Sequence, residues 1–441
     1  MKRPVILGFL LTGLLLLGCT PSPAVLFPAP KPEGSLSIQV VSDLHYLAES
    51  LRDDGGSFLR YATGGDGKNL LEISLLLETL TQRVEREVPQ VLVISGDLTN
   101  NGEKASHEEL TQYLQRMEKA GTQVLVIPGN HDLLNPHARG FQGEKQYLPE
   151  TVTPEEFAKI YGAFGYDEAA SRDEASLSYV TKVSEGLWFL MLDDNRYDRN
   201  LSLGYPETGG VLSLATIKWM TKVLEEAQAK GVQVITVSHH NGLSHSPVAK
   251  EGYVLDNDEE FLNRIRQYGV RLNLTGHVHV QDIQKNLEKG TFYEIATGAF
   301  SVYPHLSGYL EVKENGEMAY EAKPLDLTGV KIRKGWRRVS LAESSKEHFQ
   351  RASVSRILAR LTESGSFSKG ELQSMEEVLG ALNLAYFSGG THPIPADLLS
   401  SAGYQLILEK GDEKTKGYAQ RILSTDGEDD VRLTLPPLSK P

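Results

Sequence analysis

The stretch from Pro89 to Thr99 reads PQVLVISGDLT, an apolar run that ends abruptly in glycine and aspartate. Its four consecutive apolar residues, three of them β-branched, suit a strand that is covered on both faces. Such strands are followed by polar side chains at several places in this chain. The other segments of this kind are SLSIQVVSDLH (35–45), TQVLVIPGNHD (122–132), VQVITVSHHN (232–241) and VRLNLTGHVH (270–279).

Helical patterns lie between these strands. Apolar residues recur every three or four positions across 68–88 and 104–120, and Gly121 is a stop signal for the second pattern. The TPEEF segment that starts at Thr153 has the form of a capping box, and Ser213 is a candidate N-cap for another helix. Strands that alternate with helices predict a layered α/β domain.

The pattern changes towards the C-terminus. Strand-like segments follow over 291–300 and 308–325, and Asn315-Gly316 within the second predicts a type I′ hairpin turn. After about Leu327 the patterns are helical and carry no chemical motif. We therefore predict an α/β domain over 35–327 and a helical accessory domain with an acidic tail over 328–441.

The first residues have the features of an export signal. Lys2 and Arg3 precede an apolar stretch that is too short to span a bilayer, and Gly18-Cys19 follows it. The LLGC motif resembles the lipobox of bacterial lipoproteins, which implies a signal peptide over 1–18 and a lipid on Cys19. A proline-rich segment over 19–34 then reads as a tether. We expect a lipid-anchored protein on the extracytoplasmic face of the cell membrane.

Composition restricts the partners. The 441 residues include 45 Lys and Arg against 58 Asp and Glu, which gives a formal net charge of −13. Nucleic-acid-binding surfaces are normally basic, so we expect no nucleic-acid partner. The sequence makes no prediction about the oligomeric state.

The polar residues at the strand ends predict a metal site. In layered α/β folds, functional groups gather beyond the carboxyl ends of the strands. Imidazole and carboxylate together suit Mn, Fe or Zn, and there are too many groups for one ion. Two polar residues on a solvated strand face would explain one such motif, but not the convergence of five. The candidates are Asp43, His45, Asp97, Asn130, His131, His239 or His240, His277 and His279.

The ordered motifs Asp-x-His, Gly-Asp, Gly-Asn-His-Asp, His and Gly-His-x-His resemble the calcineurin-like metallophosphoesterase family, from Ser35 to about Lys323. The resemblance implies a β-sandwich flanked by helices and two divalent metal ions, with Mn expected and Fe or Zn as alternatives. It also implies that His131 is a proton donor or oxyanion stabiliser, whereas a simple neighbour of the ligands is the alternative. One ion would be held by Asp43, His45, Asp97 and His279, and the other by Asp97, Asn130, His239 (or His240) and His277.

Two departures from related phosphatases indicate the substrate. Asn100 and Pro128 stand where the protein phosphatases of this superfamily have an acidic residue and an arginine that helps to clamp a phosphate dianion. The chain most resembles the bacterial branch that includes class III cyclic nucleotide phosphodiesterases and glycerophosphodiesterases, which implies attack of a metal-bridging hydroxide on a small phosphodiester. The alternatives are a phosphomonoesterase or nucleotidase on the same scaffold, and a non-catalytic binding lipoprotein.

Aromatic residues in the predicted loops are candidates for stacking on a nucleobase, although such residues also anchor loops. They are Tyr61, Tyr197, Tyr253 and Phe300.

Overall fold

The computed structural model describes residues 35–248, 251–286, 292–363, 367–424 and 429–437. The predicted signal peptide, lipobox cysteine and tether lie outside these residues. The described residues all belong to one compact unit that extends from Pro32 to Pro441.

The strands, in chain order, are β1 (Leu36–Val41), β2 (Val91–Ser95), β3 (Gln123–Ile127), β4 (Gly140–Gln142), β5 (Lys145–Tyr147), β6 (Ser171–Arg172), β7 (Tyr179–Lys182), β8 (Leu187–Met191), β9 (Gln233–Val237), β10 (Leu272–Thr275), β11 (Asp282–Asn286), β12 (Phe292–Ala296), β13 (Leu306–Val312), β14 (Met318–Pro324), β15 (Lys331–Lys334), β16 (Arg337–Ser340) and β17 (Arg432–Leu435).

The α-helices are α1 (Gly56–Thr63), α2 (Ile73–Glu87), α3 (Lys104–Ala120), α4 (Pro154–Ile160), α5 (Asn200–Leu203), α6 (Leu214–Lys230), α7 (Asp258–Gln267), α8 (Leu341–Ala352), α9 (Ser355–Glu363), α10 (Lys369–Phe387), α11 (Ala402–Lys410) and α12 (Glu413–Leu423).

Two mixed sheets form a sandwich, as predicted. One has the order β17-β14-β13-β1-β2-β3 and the other β11-β12-β10-β9-β8-β7-β6. Strands β1, β2 and β3 run parallel, with β3 at one edge of its sheet, and β8, β9, β10 and β12 also run parallel. The other pairings in the two sheets are antiparallel. Buried side chains from both sheets, such as Val40 and Ile235, belong to one hydrophobic cluster. The carboxyl ends of the parallel strands carry the predicted site residues.

The helix predictions are largely confirmed. Helix α3 has the predicted bounds and ends at Gly121, whose φ of 111° is left-handed. The capping box at Thr153 and the N-cap at Ser213 are both formed. Helix α2 begins five residues later than predicted, because Lys68 forms a β-bridge and Asn69 donates its backbone N–H to Ser301 O over 2.7 Å.

The predicted type I′ turn at Asn315-Gly316 is wrong. A type I′ turn needs positive φ at both central residues, and here only Gly316 has it, with φ of 79°. Strand β13 ends at Val312 opposite Met318, so five residues connect the strands and Gly316 N–H closes a turn on Lys313 O. The longer loop removes the need for a second left-handed residue.

Helices α9 to α12 pack on the α/β sandwich through a shared cluster. Val278, Val280 and Ala296 from the sandwich are buried together with residues of the helical region such as Met375 and Leu382. After α12 the chain returns to the first sheet, where β17 pairs with β14; the sequence patterns did not predict this strand. The domain boundary near residue 327 stays a prediction. Among the described residues no helix combines the length and apolarity that crossing a bilayer requires.

Candidate metal centre

The seven predicted ligands all follow the carboxyl ends of parallel strands, and all are buried except His279, which is partly exposed. The strands come from both sheets, so the site lies where the two sheets meet at one edge of the sandwich. Asp43 and His45 follow β1, Asp97 follows β2, Asn130 follows β3, His239 follows β9, and His277 and His279 follow β10.

The first group of side chains is Asp43, His45, Asp97 and His279, whose ligand atoms lie within 4.8 Å of one another. His279 Nε2 is 3.3 Å from Asp43 Oδ1, and His45 Nε2 is 3.6 Å from Asp97 Oδ2. The Nε2 atoms of His45 and His279 are only 3.1 Å apart. Two ring nitrogens at that distance need a proton or a cation between their lone pairs.

The second group contains Asp97, His239 and His277, again with ligand atoms within 4.8 Å. His239 Nε2 lies 3.5 Å from Asp97 Oδ1 and 3.3 Å from Asn130 Oδ1, which adds the fourth predicted residue. Asp97 therefore turns one carboxylate oxygen towards each group. This is the geometry of a bridging ligand.

The donor set fits divalent cations. Asp43 Oδ2 accepts a hydrogen bond from the backbone N–H of His277 over 3.1 Å, but its buried Oδ1 has no hydrogen-bond partner among the described residues. A buried carboxylate oxygen without a partner is costly, and a cation would satisfy it. Mixed imidazole and carboxylate donors suit first-row transition metals.

Hydrogen bonds to backbone carbonyl groups orient the imidazoles. The Nδ1 atom of His239 contacts Ser95 O over 2.8 Å, and Nε2 of His277 contacts Gly252 O over 2.9 Å. In metal sites such a contact fixes the ring and leaves the other nitrogen for the ion. The other nitrogen of each ring is therefore available to the cluster.

His240 is differently placed. Its Nδ1 contacts Asp194 Oδ1 over 2.8 Å and its Nε2 contacts Thr208 O over 2.7 Å, so both ring nitrogens are engaged. Its ring centroid is 4.2 Å from that of His277. The geometry favours His239 over His240 as the ligand and gives His240 a supporting role.

Burial and local charge set the protonation of the site. Burial lowers the pKa of His45 and His277 well below the ordinary value, which keeps both rings in the neutral form that binds metals. Burial alone would raise the pKa of Asp97, but the imidazoles of His239 and His131 bring it well below the usual range. The bridging carboxylate is thus ionised at neutral pH.

The backbone of the centre is unusual. Positive φ values are rare outside glycine, yet they occur here directly after the strands, where the chain turns. A Cβ atom on Gly276 would lie 1.8 Å from Ser42 Oγ and 2.5 Å from Asp43 Oδ2, so only glycine fits there. The residues with positive φ are Asp43 (54°), His45 (45°), Asp97 (51°), His277 (67°) and His279 (62°).

His131 is the most exposed of the predicted site residues, with 24% of its side chain accessible. Its Nδ1 contacts Asn100 O over 2.7 Å, and its Nε2 lies 4.0 Å from Asp97 Oδ2. The ring is therefore held by one nitrogen and presents the other beside the cluster. This placement suits a group that contacts substrate.

Asp132 is a supporting residue that the sequence motifs did not predict. Its carboxylate accepts backbone hydrogen bonds from Leu98 (3.0 Å), Thr99 (2.9 Å) and Gly129 (2.8 Å). These bonds join the loop after β2 to the loop after β3. The only sequence signal for Asp132 is its place at the end of the Gly-Asn-His-Asp motif.

The aromatic predictions have mixed outcomes. Phe300 is fully buried, so its predicted role in stacking on a ligand is wrong. Tyr61 OH accepts hydrogen bonds from Asn100 and Asn101, and Tyr197 OH donates one to Asp193, so both anchor loops. The Tyr253 ring is 4.8 Å from that of His277 and lies at the centre itself.

Comparison with known families gives two matches. Residues 36–281 match the family described as Calcineurin-like phosphoesterase. Residues 341–430 match the family described as C-terminal domain of cyclic nucleotide phosphodiesterase. The first match contains every predicted metal ligand, and the second contains most of the helical region.

Individual relatives are distant. The chain is 24% identical over 248 residues to a Coxiella burnetii protein named "Probable cyclic nucleotide phosphodiesterase", a match that covers 56% of this chain and 77% of the relative. It is 14% identical to a dimetal phosphatase from Danio rerio, covering 67% of this chain and 98% of that one at a TM-score of 0.47. A purple acid phosphatase from yellow lupin is 13% identical, covering 67% and 53% at a TM-score of 0.41.

Proposed function

Because the chain belongs to the calcineurin-like phosphoesterase family, we propose that it is a two-metal phosphodiesterase that hydrolyses small diesters, cyclic nucleotides among them. The observation that carries the proposal is the placement of Asp97, with one oxygen towards each of two ligand groups. Two divalent ions bound by these groups would supply Lewis acidity and a nucleophile derived from water.

We assign the proposed ligands to two ions according to the two groups of side chains described above. Asp43, His45, Asp97 and His279 hold one ion, and Asp97, Asn130, His239 and His277 hold the other. With two divalent ions bound, the two carboxylates leave a local charge of about +2, which attracts an anionic ester even in an acidic protein. His131 contacts the ester and stabilises charge or donates a proton as the bond breaks.

Neutral groups around the centre favour a diester over a monoester. Asn100 donates to Tyr61 OH, and Pro128 O accepts from Asn195, so neither position supplies a guanidinium to a phosphate dianion. The buried ammonium of Lys68 also acts on the site. Burial lowers the pKa of His131, Asp97 opposes that effect, and Lys68 lowers the pKa further. That ammonium is partly neutralised by Asp66, whose Oδ2 is 3.3 Å from Nζ.

Both comparisons support cyclic nucleotides as the substrate class. The helical region resembles the C-terminal domain of cyclic nucleotide phosphodiesterases, and the Coxiella relative is named as one. Tyr253 supplies an aromatic ring at the centre for a nucleobase.

The activity is tested by stripping the protein of metal and restoring Mn²⁺, Zn²⁺ or Fe²⁺ separately. We expect faster hydrolysis of an aryl phosphodiester than of the matching monoester, with Mn²⁺ the most effective ion. The variant Asp97→Asn should lose activity and metal, while Asp198→Asn, at an exposed position, should retain both. Faster turnover of the monoester would favour a nucleotidase, and no turnover with any ion would leave a binding protein.

We also propose that Cys19 carries a lipid that anchors the protein at the outer face of the cell membrane. Support comes from the LLGC motif that follows the apolar segment. Metabolic labelling with a fatty-acid analogue should mark the full chain and not its Cys19→Ser variant. Equal labelling of the two would refute the anchor.

A further inference from the structure

The hairpin formed by β15 and β16 concentrates positive charge in an acidic protein. Residues 331–338 read KIRKGWRR, with five cations and no carboxylate, in a chain of net charge −13. All five cationic side chains are exposed. None forms an ion pair or a side-chain hydrogen bond with another described residue. Many other surface cations are paired, as Arg116 is with Glu78 and Glu85.

The hairpin places an indole at its tip. Gly335 and Trp336 form a two-residue turn, and the φ of 59° at Gly335 is the left-handed value that the first position of a II′ turn requires. Trp336 is 87% exposed, and nothing lies within 4 Å of the Cβ position of Gly335. The tip therefore projects into open space.

Like charges face each other across the two strands. Arg333 pairs with Arg338, and Lys334 with Arg337. Directly opposed like charges destabilise a hairpin. The hairpin is anchored to the domain at its base, because Ile332 is buried in the main hydrophobic cluster and Val339 packs against that cluster. A negatively charged partner would relieve the repulsion.

We propose that this hairpin docks on an anionic lipid bilayer, with Trp336 in the headgroup region and the flanking cations on lipid phosphates. Exposed basic clusters bind anionic membranes, and tryptophan favours the membrane interface. The charges lie on both faces of the hairpin around the tip, so they reach a planar surface together when the tip enters first. The negative charge of the rest of the molecule would orient this face towards the membrane.

A bilayer explains the tip better than a nucleic acid does. Single-stranded nucleic acids bind grooves that track the backbone and stack several bases. Here one indole protrudes alone, with the Arg337 guanidinium 4.9 Å from its ring centroid. A protruding aromatic between cations is an arrangement suited to a lipid interface.

The test uses residues 32–441, which form one compact unit, and vesicles of phosphatidylglycerol and phosphatidylcholine. We expect sedimentation with these vesicles at low salt, little binding to phosphatidylcholine alone, and loss of binding above about 0.5 M salt. Trp336 emission should shift to shorter wavelength on binding. The triple variant Trp336→Ala, Arg337→Gln, Arg338→Gln should bind about thirtyfold more weakly or worse.

A matched control removes the same kinds of group elsewhere. Leu214→Ala, Lys218→Gln, Lys222→Gln takes one exposed apolar side chain and two exposed cations from α6. This variant should bind vesicles as the parent does, and both variants should retain phosphoesterase activity. Equal vesicle binding by the hairpin variant and the parent, or an equal loss in the control, would overturn the proposal. Hairpin-dependent binding to a single-stranded oligonucleotide in preference to vesicles would overturn it too.

Discussion

Left-handed backbone at the metal centre has an energetic consequence. Each such residue other than glycine costs on the order of 1–3 kcal/mol, and repulsion among buried ligand atoms adds to that. The surrounding sheets hold these residues in place, and bound cations would offset part of the cost. The residues concerned are Asp43, His45, Asp97, His277 and His279.

Replacement of His131 by Gln should separate catalysis from metal binding. The ring is held at Nδ1 by Asn100 O and presents Nε2 beside the cluster, so its loss removes a group that acts on the ester rather than a ligand. We expect kcat to fall by about a hundredfold to ten-thousandfold, with metal content unchanged by elemental analysis. The exposed neighbour His137 provides the control His137→Gln, which should be fully active. Loss of metal from the His131 variant would assign it a ligand role instead.

Gly276→Ala should damage the centre through a single methyl group. The added Cβ would overlap Ser42 Oγ and press on Asp43 Oδ2, so the carboxylate must move. We expect urea unfolding to show a loss of about 1–3 kcal/mol in the free energy of unfolding. Chelator competition should show weaker affinity for the metal ion that Asp43 would hold.

The control for that variant is Gly186→Ala, where nothing lies within 4 Å of the added Cβ and φ is not positive. Its stability and metal affinity should match those of the parent. Unchanged metal affinity in Gly276→Ala would show that the loop after β10 can shift to make room for the methyl group without moving Asp43.

At the level of strands and loops, the sequence predicted much of the centre. Apolar runs ending in Asp, Asn or His gave the parallel strands, and the rule that sites lie beyond their carboxyl ends gave the convergence. Local patterns could not show that Asp132 ties two loops together, because its partners are backbone groups in the loops after β2 and β3. The pairing of β17 with β14 joins positions more than 110 residues apart and leaves no local signal.

The loop after β9 is pinned by a buried histidine, which predicts a pH effect. His245 Nδ1 is 2.6 Å from Asp282 Oδ2, and its Nε2 is 3.0 Å from Glu294 Oε1. Burial lowers the pKa of His245, but the two carboxylates outweigh burial and raise it to about 9. Because the folded pKa exceeds the unfolded value, this stabilisation is complete below about pH 6.5 and is lost as pH rises through about 9.

The shift corresponds to about 3 kcal/mol. Urea unfolding of the parent at pH 6 and at pH 9.5 should show that loss on top of contributions from other groups. The variant His245→Gln cannot titrate and therefore isolates the contribution of the imidazole. The difference in free energy of unfolding between parent and variant should be about 3 kcal/mol smaller at pH 9.5 than at pH 6. A difference that is the same at both pH values would mean that the imidazole is not charged in the folded protein.

At the scale of the whole molecule, the helical region supports the metal centre. Val278 lies between the ligands His277 and His279, and it is buried in the cluster formed with α9 to α12. Hydrogen bonds add to this packing, including one from Tyr386 OH to Ser246 Oγ over 2.7 Å. We expect these helices to act by holding the loop after β10, a packing role that requires no chemical motif in their sequence.

Leu382→Ala tests that support. Leu382 is fully buried in the cluster that contains Val278 and Val280, so the substitution leaves a cavity behind the loop that carries His277 and His279. We expect a loss of about 2–5 kcal/mol in stability and, well below the melting temperature, weaker metal binding by chelator competition.

The control, Leu114→Ala, removes the same side chain from a fully buried site on α3, in the main hydrophobic cluster. It should cost similar stability with little change in metal affinity. Equal metal affinities in the two variants would show that the helices stabilise the fold without positioning the ligands.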